Sequence, residues 1–241
     1  EVVYMNKEYQ FEYEWDSKYC YPHSFILINK LGITERDALN EAEREITSTR
    51  ILQLKEEPIQ GQFDLQHLQK IHHFIFQDIY DWAGELRTVN IAKGNQFCNC
   101  MYLESGFEPI YKQLKNEHFL IGSDSDFISK KLAYYLGELN VIHPFREGNG
   151  RAQRVYMESL AHISGHHIDF SNVTTNEMIQ ASADAFNCNY NKMTEIFEKI
   201  TTPITIEEQL QHIHKIMPQA TKYLPEISNE CDLNEEMDMS F

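Results

Sequence analysis

His143-Pro144-Phe145-Arg146-Glu147-Gly148-Asn149-Gly150-Arg151, followed by Arg154, is the stretch where this chain concentrates groups that could do chemistry. Gly148-Asn149-Gly150 runs into a helical pattern, and a helix N-terminus offers free backbone N–H groups and a dipole that favour an anion. Glycine lets the backbone turn through positive φ and approach phosphate oxygens closely. Arg151 and Arg154 are three apart on one helix face, and guanidinium forks match phosphate geometry. Glu147 is a hard oxygen ligand suited to a magnesium ion that also touches substrate phosphates. His143 titrates near neutrality and could take the proton of an attacking hydroxyl. Singly, such residues are mostly turn glycines, surface arginines and structural histidines. Together they describe one phosphate-transfer site, with uncharged Phe145 assigned to packing beneath the loop.

Two helices must hold this loop. Upstream, Ile128, Leu132, Tyr135, Leu139 and Ile142 recur at steps of four and three, one stripe of a helix. Phe127, Ala133, Tyr134 and Leu136 make that helix apolar nearly all round, which places it deep in the core. Pro144 disfavours helical geometry in the residue before it, so the helix should end at His143. Downstream, Ala152, Val155, Ser159, Leu160 and Ile163 mark a second helix starting near Gly150.

Residues 1–23, with Tyr19, Tyr21 and Pro22, read as an arm laid across the surface. Thr34, with Asp37 three residues on, should cap a helix to about Leu54 whose inner face carries Ala38, Ala42, Ile46, Thr49 and Leu52 or Gln53. Pro58 and Gly61 break it, and Asp64 caps the next, with Leu65, Leu68, Ile71 or His72, Ile75 and Ile79 on its apolar face. Adjacent His72 and His73 cannot share that face, and packing suits both better than ligation. The helix should run on to Asp81-Trp82-Ala83-Gly84, with Gly84 at a C′ position. Leu86, Thr88, Val89 and Ile91 favour extended chain, and Lys93-Gly94-Asn95 supplies a turn. Helices follow over 101–118, from a cap at Asp124 or Ser125, and over 174–187 and 190–200 with Met178, Ala181, Ala185, Ile196 and Ile200 inward. Gly165-His166-His167-Ile168-Asp169 ends the helix after the motif; its histidines and Asp169 are neighbours in a turn that seldom converge on one ion. Beyond Pro203, Ile206, Leu210, Ile213 and Met217 mark an amphipathic helix.

Length and composition (241 residues, 42% hydrophobic, 24% charged) suit one sizeable core, and no apolar run is long enough to span a bilayer. A net charge of −16 speaks against non-specific nucleic-acid binding, which rests on lysine and arginine. Glu226, Glu230, Asp232, Glu235, Glu236 and Asp238 form an acidic tail expected to be solvated and poorly ordered. Five cysteines without a regular framework point to a reducing, cytoplasmic setting. Cys98 and Cys100 lack a second pair for zinc and read as structural.

The motif agrees at each fixed position with His-Pro-Phe-x-Asp/Glu-Gly-Asn-Gly-Arg-x-x-Arg, and the chain resembles the Fic (filamentation induced by cAMP) family. Asp78-Ile79-Tyr80-Asp81-Trp82-Ala83-Gly84-Glu85-Leu86-Arg87 carries the same resemblance, which covers roughly residues 19–200. It implies a mainly α fold, a Fic-type helical domain over 24–203 with a central motif helix pair and a small β-hairpin flap, leaving 204–241 as a terminal helix and tail. It implies transfer of AMP from ATP to a Ser, Thr or Tyr hydroxyl of a target protein, with His143 as base and Glu147 holding Mg2+. Gly148, Asn149, Gly150, Arg151 and Arg154 would bind the phosphates, with Lys93 and Gly94 close to the ATP. Asn95, Gln96, Phe97 and Cys98 would form the flap edge that aligns the target backbone by strand addition. Gly150 favours AMP transfer, because the Doc branch has lysine there and acts as a kinase.

Fic enzymes are commonly restrained by a helix with the pattern Ser/Thr-x-x-x-Glu-Gly/Asn, whose glutamate pairs with the second motif arginine, here Arg154. The only glutamate followed by Gly or Asn is Glu147, within the motif itself. The layout therefore resembles the bacterial branch restrained by a separate small antitoxin, a toxin partner that would dock it on helices 35–54 and 64–79. Similar antitoxin-paired enzymes modify the ATPase subunits of type II topoisomerases. Two other readings stand beside AMP transfer: a Fic transferase using another nucleotide or phosphodiester donor, such as UTP or a phosphocholine compound, and a catalytically idle Fic scaffold.

Overall fold

A computed structural model describes residues 18–123 and 125–224. The arm before Lys18, the cap expected of Asp124 and the acidic tail beyond Leu224 lie outside the described residues. The helices are α1 (Arg36–Glu56), α2 (Leu65–Phe76), α3 (Leu103–Asn116), α4 (Ser125–Ile142), α5 (Asn149–Ile163), α6 (Thr175–Phe186), α7 (Asn191–Ile200) and α8 (Ile206–Ile216). α4 and α5 pack on each other at the centre; α3, α6 and α7 lie against α4, while α2 and α8 lie against α5, and α1 covers α2. Leu132, Ala133, Ala152 and Leu160 are wholly buried between them, as helices apolar on most sides require. Among the described residues no helix is long and apolar enough to cross a membrane.

Several helix starts follow from side chains that satisfy otherwise orphaned N–H groups. The Asp64 carboxylate accepts from the His67 N–H at 2.8 Å. Thr174 with Glu177 and Thr205 with Glu208 form capping boxes on α6 and α8. Thr34 does not cap α1: the helix begins after Glu35, whose extended backbone makes no side-chain cap bond. α2 stops at Phe76, before the expected end, and a run of turns carries the chain to Gly84 at φ +84°.

The inner face of α1 is rotated from the expected one. Leu39, Glu43, Thr47 and Leu54 are buried, whereas Ala38, Thr49 and Leu52 face outward. Two polar side chains on the buried stripe broke the apolar periodicity, and both have partners at the site described below. Lys18–His23 also differs from a surface arm, because Tyr19 and Cys20 are buried in the core.

The expected hairpin is present as β1 (Ala92–Lys93) and β2 (Asn95–Gln96), antiparallel about Gly94 at φ +80°. A second ribbon, β3 (His166–Ile168) with β4 (Thr201–Pro203), was not expected. It turns His166 inward and His167 outward, so the two imidazoles face opposite ways. α8 shares the common core through Ile213, Ile216 and the following Met217, but Ile206, expected inward, is 60% exposed.

Candidate active site

Pro144 stops α4 at Ile142 and leaves His143 at φ +47°. The imidazole is buried and lies on the Phe97 ring, centroids 3.8 Å apart. Its Nδ1 is 3.3 Å from the Asn140 carbonyl; a carbonyl only accepts, so Nδ1 carries the proton and Nε2 is the basic nitrogen. Burial pulls the pKa from 6.5 down to about 3, against the smaller opposing effect of the Asn140 carbonyl. The ring is therefore neutral near pH 7, the state a general base needs.

Arg87, 2% exposed, holds this segment from behind. Its Nε donates to the His143 carbonyl at 2.8 Å and Nη1 to the Val89 carbonyl at 2.7 Å. Nη2 donates to the carbonyls of Cys98 and Ile142. Both ends of the flap and the exit of α4 are thus tied to one guanidinium. The Cys98 N–H adds a bond to the Val141 carbonyl, 2.9 Å.

The turn into α5 is built around Gly148, at φ +80°. A Cβ there would fall 2.1 Å from the Phe76 ring, so only glycine fits. The Asn149 side chain clasps the loop, accepting from the Phe145 N–H at 2.9 Å and donating to the Phe145 carbonyl at 2.8 Å. The backbone N–H groups of Asn149 and Gly150 lie in the first turn of α5, where a helix leaves its N–H groups without intrahelical acceptors. Phe145 is wholly buried against His72, centroids 3.8 Å apart, as its packing role required. His72 accepts the Gly84 N–H at Nδ1 and donates from Nε2 to the Glu147 carbonyl, both 2.9 Å. The expected packing role of His72 is therefore joined by a bond to the motif backbone.

The Glu147 carboxylate accepts the Gly148 N–H at 2.9 Å and lies 3.7 Å from Arg151 Nη2. Burial raises its pKa, and the nearby charge of Glu43 raises it further. A divalent cation would relieve both effects, so the carboxylate fits a metal ion. Arg151 reaches α1, pairing with Glu43 and donating from Nη1 to Thr47 Oγ1 at 3.2 Å. Arg154 has no ion-pair partner within 4 Å among the described residues. Burial lowers its pKa and the neighbouring Arg151 charge acts in the same sense.

Lys93, Gly94, Asn95 and Gln96 form the exposed tip of the flap. Phe97 and Cys98 do not share that exposure: Phe97 faces His143, and Cys98 is half-buried beside Arg87. Sequence reasoning missed Glu43, Thr47, Arg87 and the ring contact of Phe97. The only available signal was the Leu39-Glu43-Thr47 spacing, which repeats every four residues.

Residues 62–161 match the Fic/DOC family. The chain is 37% identical over 193 residues to the protein adenylyltransferase VbhT of Bartonella schoenbuchensis, an alignment covering 80% of this chain and 40% of that protein. The chain therefore spans less than half of VbhT. It is 34% identical to the "Probable protein adenylyltransferase Fic" of Escherichia coli K12, covering 76% of this chain and 92% of the relative. Among solved structures, the BepC protein of Bartonella tribocorum with bound AMPPNP superposes with a TM-score of 0.73 at 29% identity, over 78% of this chain and 97% of that one.

Proposed function

Because the chain belongs to the Fic/DOC family, we propose that it is a protein adenylyltransferase moving AMP from ATP to a Ser, Thr or Tyr hydroxyl of another protein. The observation that carries this reading is geometric: a buried His143 stacked on Phe97 of the flap, followed by a turn at Gly148 that only glycine fits and that opens α5, the helix carrying Arg151 and Arg154. The ATP phosphates lie on the Gly148-Asn149-Gly150 turn, with Lys93 and Gly94 of the flap alongside. The target hydroxyl oxygen bonds to the α-phosphorus while His143 Nε2 takes its proton. The bond from the α-phosphorus to the bridging oxygen breaks, and pyrophosphate leaves with its charge offset by Arg151 and Arg154. Glu147 would hold Mg2+, which when bound neutralises phosphate charge. The exposed strands of the flap, Asn95 and Gln96 above all, align the target backbone by strand addition.

With Glu147 of the motif the only glutamate followed by Gly or Asn in the sequence, the regulatory reading is restraint by a small antitoxin that supplies a glutamate to Arg154. On that reading the protein is a cytoplasmic toxin, with the ATPase subunit of a type II topoisomerase as the first target to test. Incubation with ATP and cell lysate, followed by mass spectrometry of the modified proteins, tests the reaction. The expected result is a target carrying the added mass of AMP, lost with His143→Ala. An added UMP or phosphocholine mass, or a biological effect that survives His143→Ala, would overturn it.

A further inference from the structure

Glu43 lies on α1, outside the residues matched by the family, yet it enters the motif. It is 9% exposed, and both carboxylate oxygens are occupied. Oε1 accepts from Arg151 Nη2 and Oε2 from the Tyr80 hydroxyl. One turn on, Thr47 donates its hydroxyl proton to the Glu43 carbonyl at 2.7 Å and accepts from Arg151 Nη1. The guanidinium also lies over the Phe76 ring, 4.8 Å from its centroid. Two α1 acceptors and an aromatic face fix a side chain that would otherwise have many rotamers.

We propose that Glu43 is a positioning residue that acts through Arg151, setting the guanidinium for the β- and γ-phosphates of the nucleotide. This rests on the reading of Arg151 as a phosphate-binding residue. Two observations make Glu43 a support and not a competitor for that arginine. Its second oxygen is held by Tyr80, so the carboxylate is anchored independently of Arg151. It is also the nearer of the two acids that Arg151 meets, and it draws the guanidinium away from full contact with the other. Glu147 stands four residues before Arg151 on the same turn, only 3.7 Å from Nη2. Without Glu43, Arg151 closes on Glu147, and the cation meant for the polyphosphate and the carboxylate meant for a divalent ion neutralise each other.

Calorimetric titration of the full chain with ATP and with AMP, each with and without Mg2+, tests this. AMP lacks the phosphates that Arg151 is set to meet. Glu43→Ala should weaken ATP binding about tenfold while AMP binding stays within about twofold. Glu43→Gln should lie between, since its amide oxygen can still accept from Arg151. Equal loss for both nucleotides would reduce Glu43 to a structural role, and no change would remove it from the site. Tighter ATP binding would make it a competitor. Each of those results overturns the proposal. A native chain that binds neither nucleotide would instead overturn the phosphate-binding role of Arg151. If Glu43→Ala does not fold, Glu43→Gln and Thr47→Val carry the same comparison.

Discussion

His143 and Phe97 lie face to face, their ring planes inclined by only 11°. Phe97 directly follows the second flap strand and is buried, so the flap and the base form one packed unit. Phe97→Ala removes the wall that fixes the imidazole. Transfer should lose about tenfold or more in kcat, because small misplacement of a reacting group is costly, with KM for ATP changed far less. Steady-state transfer assays decide. A rise in KM at unchanged kcat would place the ring in nucleotide binding instead.

Arg87 donates to four carbonyls from a buried position. Arg87→Met leaves those carbonyls without their donor and should cost about 3–5 kcal/mol of stability. Chemical denaturation measures the loss, and hydrogen exchange should quicken at residues 89–98, where the flap is tied down. A cost below about 1 kcal/mol would show that water or neighbouring donors replace the guanidinium.

Gly148 and Gly150 should respond differently to the same change. Gly148→Ala combines a positive φ with a clash against Phe76, so the loop must move and nucleotide binding should be lost. At Gly150 the nearest atom to an added Cβ is Arg154 Nη1, at 3.7 Å. Gly150→Ala should fold with stability unchanged or raised by up to about 1 kcal/mol. Thermal melts of both variants check this, and equal destabilisation would contradict it.

Acid should destabilise the fold in a definite window. His67 is buried, accepts the Phe63 N–H at Nδ1 and donates from Nε2 to the Ile59 carbonyl. Burial lowers its pKa to about 4 from 6.5, with the Ile59 bond opposing. Between those values the unfolded chain binds a proton that the folded chain does not, so stability rises with pH there. His67's contribution is complete above pH 6.5 and is lost as pH falls toward 4, at up to about 1.4 kcal/mol per pH unit. His72 and His143, also lowered by burial, add to the slope. Denaturation midpoints at several pH values should fall less steeply for His67→Gln than for the native chain. Parallel slopes would show that His67 is not a source of the acid sensitivity.

The loop and its two helices were legible in the sequence because residue type and period agree there. α4 is buried on most sides, although Phe127, expected in the core, is 56% exposed near its start, and Pro144 and Gly148 have backbone consequences that do not depend on tertiary contacts. α1 was misjudged because periodicity counts apolar side chains, while its buried stripe includes Glu43 and Thr47. A carboxylate is buried there because Arg151 and Tyr80 meet it, and those partners lie far off in the chain. Arg87 closes the second stretch that carries the family resemblance, but its role was unreadable for a similar reason: its four acceptors are backbone carbonyls, which any sequence supplies. The three-residue strands of the second ribbon are too short to show a period, and they form only because Thr201–Pro203 lies beside His166–Ile168.

ATP labelled at the α-phosphate, or separately at the γ-phosphate, tests AMP transfer most directly. Purified chain and lysate protein should give a labelled protein from the α-labelled nucleotide alone, with the label abolished by His143→Ala. Label carried from the γ-phosphate, or α-label that persists in His143→Ala, would contradict a base at His143 acting on the α-phosphorus.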